Sequence, residues 1–436
     1  MCYFVENVPG TGVAQPQIFI YRLLWYAYSL QRMVDMNYLV DGHTLSNVEL
    51  KALMVSRGIK VSNRVYQQYS TTSRLSKNPL ECNSILLPDN TVVQMTDMSF
   101  HMEYIRLTMN WDTLKQVKYA KDLRTPFSID LDKNDQPMLY HTGNPVTPIS
   151  FPPPTQFYRQ KTSNGVPFFG NAVLQGLDWI SFQMLWECDC AITGQPCQYC
   201  YSGGELERLV KKRKPLPKYP KPDDVAQMVE YAINHDGVTS IQITGGTLFN
   251  SAQEVDRITS ILEAINHRVG MDRIPGEILV FVSPTIDKAG IDRIYEAKAD
   301  RVSMSLEIWD IDLAKRIMPG KMTHVDRQSH VEILKQIAKE RGRGKICSNF
   351  IIGLEPPESV LAGAEYLGAH GIVPIASVWI PFGRPVENSM KAPDLPYYRE
   401  VIAGFDRIYR TQEIIPPGAR GLNVCMCRDI YLAGCC

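Results

Sequence analysis

Polar and apolar positions change rhythm part-way along the chain. Upstream, Ile18–Asn37, Asn47–Arg57 and Met98–Tyr119 repeat apolar residues at helical spacing, and Ser84–Met95 alternates as a hairpin around Pro88-Asp89-Asn90. Pro145–Pro154 is a proline-rich joint, which predicts a boundary after an accessory domain over 1–150. Downstream of Gly176 the alternation becomes regular. Strand-like runs at Trp179–Trp186, Val238–Thr244, Glu277–Val282, Arg301–Leu306, Ile346–Ile352 and Ile372–Trp379 are separated by helical patterns. These are Pro222–Asn234, Ala252–Val269, Lys288–Ala297, Val325–Arg341 and Ser359–Ala369. That order predicts parallel βαβ units. Right-handed crossovers curl such a sheet toward a barrel, and six units fall short of the eight that close one. The expected fold class is α/β: a partial (β/α)6 TIM-like barrel over 151–385, with an α+β N-terminal accessory domain. Residues 386–436 follow as a C-terminal helix and a Cys-rich tail.

Composition narrows the function classes. The 436 residues are 44% hydrophobic and 21% charged, which excludes a disordered chain and suits a sizeable core. Lys+Arg and Asp+Glu both number 46, so no global field favours a nucleic acid or a membrane surface. The segment Arg208–Lys221 holds seven basic residues and no acid, but Tyr219 is its one aromatic for base stacking. A solvated, proline-broken loop is the better account of it. Ile18–Leu30 is an apolar run of 13 residues containing Arg22, short of the roughly 20 that span a membrane. Glu6 before it and Gln31-Arg32 after it do not suit a signal peptide. A cytoplasmic protein with reduced thiols is expected, and there clustered cysteines indicate metal or redox chemistry.

Eight of the 11 cysteines fall in two short windows. The first, Cys188-Asp-Cys190-Ala-Ile-Thr-Gly-Gln-Pro-Cys197-Gln-Tyr-Cys200, follows the first barrel strand, on the face where such folds build active sites. Spacing alone leaves two chemistries open. Four thiolates suit structural zinc. Three suit an iron–sulfur cluster with one iron left free to take a ligand.

This region resembles the radical S-adenosylmethionine (radical SAM) superfamily, its biotin synthase-like part in particular. Cys197-Gln-Tyr199-Cys200 is similar to the family's cluster-binding ending, in which the aromatic packs near the adenine. Ile243-Thr244-Gly245-Gly246-Thr247 resembles the turn that meets the SAM amino group, with Thr247 where an acid is common. Ser305-Leu306-Glu307 looks like the ribose-contacting position, and Phe350-Ile351-Ile352-Gly353-Leu354-Glu355 like the stretch beside the adenine. The resemblance covers roughly 176–385 and implies a 4Fe–4S cluster held by Cys190, Cys197 and Cys200. The family's usual spacing is three residues and then two. Here six separate Cys190 from Cys197, so Cys188 is the alternate first ligand, with Cys190 nearer the usual spacing. The implied cofactor contacts are Tyr199, Gly245, Gly246, Thr247, Glu307, Ile352 and Gly353. Lys321 is a candidate partner for the SAM carboxylate, and Arg327 a second one. A radical SAM enzyme cleaves SAM reductively and starts radical chemistry on a small-molecule substrate, with an electron donor such as flavodoxin or ferredoxin. No catalytic residue beyond these contacts is singled out.

The second window, Cys425, Cys427, Cys435 and Cys436, suggests a second iron–sulfur cluster, a single metal ion or a thiol trap. Unliganded tail thiols are the plainer alternative. Cys2, Cys82 and Cys347 read as buried or idle, and Cys347 and Asn349 share one face of their strand. The rival to the enzyme is a non-catalytic zinc protein with two four-cysteine sites.

Overall fold

The computed structural model describes residues 36–77, 81, 83–94, 125–185, 187–200, 206, 209–214, 219–380, 392–418 and 424–434. The helix expected over Met98–Tyr119, and residues 18–35 of the first one, lie outside them. Asn37 instead opens a strand. The accessory region begins with a hairpin of β1 (Asn37–Val40) and β2 (His43–Ser46), followed by α1 (Asn47–Arg57). A capping box starts α1: Ser46 Oγ accepts from the Glu49 amide at 3.3 Å, and the Glu49 carboxylate accepts from the Ser46 amide at 2.8 Å.

Next come β3 (Lys60–Val61), α2 (Asn63–Tyr69), and the expected hairpin of β4 (Ser84–Leu86) and β5 (Val92–Gln94). Then β6 (Phe127–Leu131), β7 (Pro137–His141) and β8 (Asn144–Pro148) join β3 in a sheet ordered β3-β6-β7-β8. The proline-rich joint is thus part strand. Pro145 and Pro148 are tolerated because β8 is an edge, where a missing amide leaves no ladder bond unmade.

The second sheet carries the regular alternation. Its strands are β9 (Val173–Gln175), β10 (Trp179–Leu185), β11 (Ser240–Gly245), β12 (Ile278–Val282), β13 (Arg301–Met304), β14 (Ile346–Ile352) and β15 (Val373–Val378). Among the described residues they lie in the order β15-β14-β13-β12-β11-β10-β9, parallel from β10 to β15, with β9 antiparallel to β10. This is the expected curled half-barrel with β9 added at one edge; three residues are too short a run to show periodicity.

After β10 comes the single turn α3 (Asp189–Ile192), and the crossovers carry α4 (Pro222–His235), α5 (Ser251–Arg268) and α6 (Lys288–Glu296). Two short helices, α7 (Ile311–Ile317) and α8 (Pro319–His324), precede α9 (Arg327–Arg341), and α10 (Pro357–Ala369) links the last two strands. α11 (Leu395–Thr411) and α12 (Cys427–Ala433) close the described chain. Just before α12 the tail pairs with β15: Val378 N donates to Val424 O at 3.0 Å and Met426 N to Ala376 O at 2.8 Å. The tail therefore covers that sheet edge. No helix among the described residues is long and apolar enough to cross a membrane.

One apolar core runs through both regions, from Phe127 and Ile129 to Phe182, Val280 and Phe350. A buried ion pair also joins them, with Lys51 Nζ of α1 lying 2.5 Å from Asp429 Oδ2 of α12 and side-chain exposures of 0% and 5%. Removing one partner of such a pair strands the other charge away from water. Lys51→Met is expected to cost about 3–5 kcal/mol and lower the thermal midpoint, whereas Lys51→Met combined with Asp429→Leu recovers most of the loss. Thermal unfolding of the three proteins checks this.

Candidate functional site

A cavity of about 400 Å³ opens at the C-terminal ends of the barrel strands. Ser181 of β10, Gln242 and Thr244 of β11, Val282 of β12, Asn349 and Ile351 of β14, and Ile375 and Ser377 of β15 all line it. Strand alternation turns these residues inward.

The loop after β10 is fastened against the turn after β11. The Asp189 amide donates to Thr247 O at 2.8 Å, and its carboxylate accepts from the Phe249 amide at 2.7 Å. A Cβ on Gly246 would sit 2.4 Å from Glu187 O and 2.6 Å from Cys188 Cβ, so only glycine fits that turn. Gly320 of α8 meets the same loop from the other side: its Cβ would lie 2.5 Å from Gln195 O and 3.0 Å from Cys190 Sγ.

These contacts fix where the thiols go. Cys188 and Cys200 line the cavity. Cys190 is buried against Gly320, and Cys197 is buried in an apolar cluster with Ile308, Ile317, Met318, Leu354 and Trp379. Tyr199 packs on that cluster, its hydroxyl 3.4 Å from Met318 Sδ. The hydrogen bond from Cys190 outweighs burial and, with help from the Thr247 and Ala191 backbone and the Lys321 charge, holds the Cys188 thiol down to about 6. The same bond and burial push Cys190 up, while burial pushes Cys197 up. The thiolate is the ligating form, and of the Cys188–Cys190 pair it is Cys188 that is held toward it. Among the described residues no three His, Cys, Asp or Glu side chains surround a single-ion position.

Across the cavity, Glu307 sits just past β13 with φ +66. Its amide donates to Asn349 O at 2.7 Å, and its carbonyl accepts from the Ile351 amide at 3.0 Å. Holding a non-glycine residue in left-handed backbone costs on the order of 1–3 kcal/mol, offset here by the pairing with β14. Lys321 Nζ lies 2.9 Å from Glu307 Oε1. Against burial, the charges of Glu307 and Cys197 raise Lys321 above its ordinary value. Glu307 Oε2 is buried and has no hydrogen-bond partner among the described residues. An acceptor left open on a cavity wall, beside a lysine and a glycine turn, suits a ligand carrying ammonium, carboxylate and hydroxyl groups. The donor set therefore fits SAM, and the thiols gathered at the loop fit a cluster.

Gly245, Gly246, Thr247, Glu307 and Lys321 share this wall, as does Cys425. Other expected contacts lie elsewhere. Ile352 is fully buried in the main core, and its neighbour Ile351 faces the cavity. The Gly353 amide donates to the Tyr397 hydroxyl at 2.7 Å. Arg327 donates to Trp309 O at 3.1 Å and stacks over that indole, away from the cavity lining. Cys425 and Cys427 stand with sulfurs 3.1 Å apart, while Cys435 and Cys436 lie outside the described residues. The hydrogen bond to Cys427, together with burial, pushes the Cys425 thiol up. Burial opposes a thiolate at Cys427, yet hydrogen bonds, those with Cys425 and the Ala376 amide among them, hold it below its usual value.

Sequence reasoning missed Asp189, Glu254 and Ser283. Glu254 Oε1 accepts from the Ser283 amide at 2.8 Å and Oε2 from the Ser283 hydroxyl, which itself accepts from the Leu248 amide at 3.2 Å. This buried link steadies the turn after β11. Burial pushes Glu254 up to about 7. A signal existed: Glu254, Ile258, Ile261 and Ile265 form one helical stripe, so a charge sits in an otherwise apolar row.

Residues 190–369 match the family model described as "Radical SAM superfamily". This part of the chain is similar to that superfamily, a class of enzymes that uses a 4Fe–4S cluster and SAM. The zinc-protein alternative is not favoured. The chain is 25% identical over 289 residues to bacteriochlorophyllide c C-7(1)-hydroxylase of Chlorobaculum limnaeum, covering 59% of this chain and 72% of that one. Among solved structures it is similar to a methylornithine synthase, at TM-score 0.44 and 14% identity over 61% of this chain and 71% of the other. A radical SAM methyltransferase from Sphaerobacter thermophilus gives TM-score 0.35 and 15% identity over 76% and 91%.

Two outcomes are expected from this geometry. Gly246→Ala forces the loop and the turn apart, and should weaken SAM binding at least tenfold, equivalent to about 1.4 kcal/mol, in equilibrium dialysis. For Glu254, the native value of about 7 lies above the ordinary 4.5, so the folded state holds the extra proton. Its contribution to stability is full below pH 4.5 and is lost as pH rises through 7. Glu254→Gln should remove that dependence, read as a thermal-midpoint difference between wild type and variant that changes across this window and is level outside it.

Proposed function

We propose that Cys188, Cys197 and Cys200 hold the 4Fe–4S cluster, and that the facing wall binds SAM to begin radical chemistry on a small-molecule substrate of cofactor or natural-product biosynthesis. The observation that carries this is the shared cavity wall of Cys188, Cys200, Gly245, Gly246, Thr247, Glu307 and Lys321, with a buried carboxylate oxygen left open. Cys188 is preferred to Cys190 because it faces the cavity, whereas Cys190 is packed against Gly320. When bound, the two cofactors supply one-electron cleavage of a sulfonium C–S bond and a radical able to abstract hydrogen.

The chain's own residues do the positioning. Lys321 holds the carboxylate, and Glu307 accepts from the ammonium or a ribose hydroxyl. The Gly245-Gly246 backbone allows close approach, and Thr247 offers a hydroxyl. Tyr199 and Ile351 provide an apolar side for the adenine. Deeper in the barrel, neutral polar groups pair with each other, Ser181 with Gln242 at 2.6 Å and Ser377 with Asn349 at 2.7 Å. That interior favours a substrate recognised by hydrogen bonds rather than by charge. The hydroxylase relative is named for a bacteriochlorophyllide, and what carries over is the small-molecule class. The tail reaches the cavity through Val424 and Cys425, and a flavodoxin or ferredoxin supplies the electron.

Anaerobically reconstituted protein tests the reading. Wild type should bind iron and sulfide and release 5′-deoxyadenosine on reduction with SAM. Cys197→Ala, Cys200→Ala and Cys188→Ala should each abolish that release, while Cys190→Ala keeps most of it. Release by Cys188→Ala but not Cys190→Ala would move the first ligand to Cys190. Colourless wild-type protein carrying only zinc would overturn the whole assignment.

A further inference from the structure

We propose that Cys425 and Cys427 form a redox-active dithiol, which closes to a disulfide by exchange with a low-molecular-weight disulfide entering through the cavity. The two sulfurs are 3.1 Å apart, inside ordinary non-bonded contact, with Cys425 Sγ donating to Cys427 Sγ. The tail backbone holds them there. Val424 and Met426, the residues flanking Cys425, are hydrogen-bonded to Val378 and Ala376 of β15. The Ala376 amide also donates to Cys427 Sγ at 3.1 Å, which fixes the second sulfur.

Access is asymmetric, as an attacking and resolving pair requires. Cys425 lines the cavity, whereas Cys427 is fully buried beneath it. The nearest carboxylate in the tail, Asp429, is committed to Lys51, so the two thiols act on each other rather than as part of a described ligand set.

The exchange balances in two steps. Cys425 Sγ attacks one sulfur of the small disulfide, and its proton leaves with the first thiol released. Cys427 Sγ then attacks Cys425 Sγ, expelling the second thiol with the Cys427 proton and forming the intramolecular S–S bond. One disulfide is reduced to two thiols, and the protein gives up two hydrogens. The reverse reaction with excess thiol restores the pair. Cys425 therefore presents a two-electron reductant to the same cavity that Glu307 and Lys321 line.

The inference needs neither iron nor SAM, so its failure is separate from that of the cluster assignment. The test uses the full-length, iron-loaded protein, equilibrated without oxygen in glutathione buffers of graded ratio and quenched with N-ethylmaleimide. Cleavage after Arg420 and Arg428 releases a peptide whose only cysteines are Cys425 and Cys427. The peptide should carry two maleimides in reducing buffer. In oxidising buffer it should carry none and be lighter by two hydrogens, with one midpoint between. Iron content should be the same at both ends, and Cys435→Ser with Cys436→Ser should leave the midpoint unmoved. A peptide that stays doubly alkylated throughout, keeps glutathione on one sulfur, or is joined to Cys347, Cys435 or Cys436 would overturn the proposal. So would metal in the wild type that Cys425→Ser removes.

Discussion

The site depends on one close contact, the Glu187–Cys188 backbone lying against Gly246. A side chain there would overlap a carbonyl oxygen and Cys188 together. Because nothing intervenes, Asp189 can bond to Thr247 and Phe249 and hold the cysteine loop over the strand ends. The position of Cys188 on the cavity wall follows from that fastening, while Gly320 packs against Cys190 from the other side. Ser283 and Glu254 support the same turn from behind, so a group remote from any ligand still governs its shape.

Buried charge is distributed by purpose. Lys51 and Asp429 neutralise each other and tie the accessory region to the tail, both side chains closed off from solvent. Glu307 and Lys321 also pair, but that pair borders a cavity and, among the described residues, leaves one carboxylate oxygen without a partner. An open buried acceptor leaves its desolvation uncompensated, and on a cavity wall the missing partner can arrive with the ligand.

The barrel was legible because strands and helices of a βαβ unit each carry a strong local period. Ile346–Ile352 and Asn47–Arg57 coincide with the elements observed, and the other described barrel strands shift only at their ends. The Gly245–Thr247 turn and Glu307 were legible as ordered motifs. Less was legible where neighbours decide. Ile351 rather than Ile352 faces the cavity because Glu307 pairs with β14 in one register, and a shift by one residue exchanges the faces. Val173–Gln175 has no period to read, and Pro145–Pro148 carries turn residues yet forms an edge strand.

The sequence by itself determined the alternating α/β order, the two cysteine windows and the glycine turn, since each is written in neighbouring residues. Only the tertiary structure decided which sulfurs meet. Cys188 and Cys190 are two residues apart, but packing against Gly320 buries one while the other faces the cavity. Cys425 reaches that cavity, with Cys427 buried beside it, because the tail pairs with β15. Chain proximity limits which groups can come together, and the directions they take are set by non-local hydrogen bonds and by space that only a folded neighbour fills.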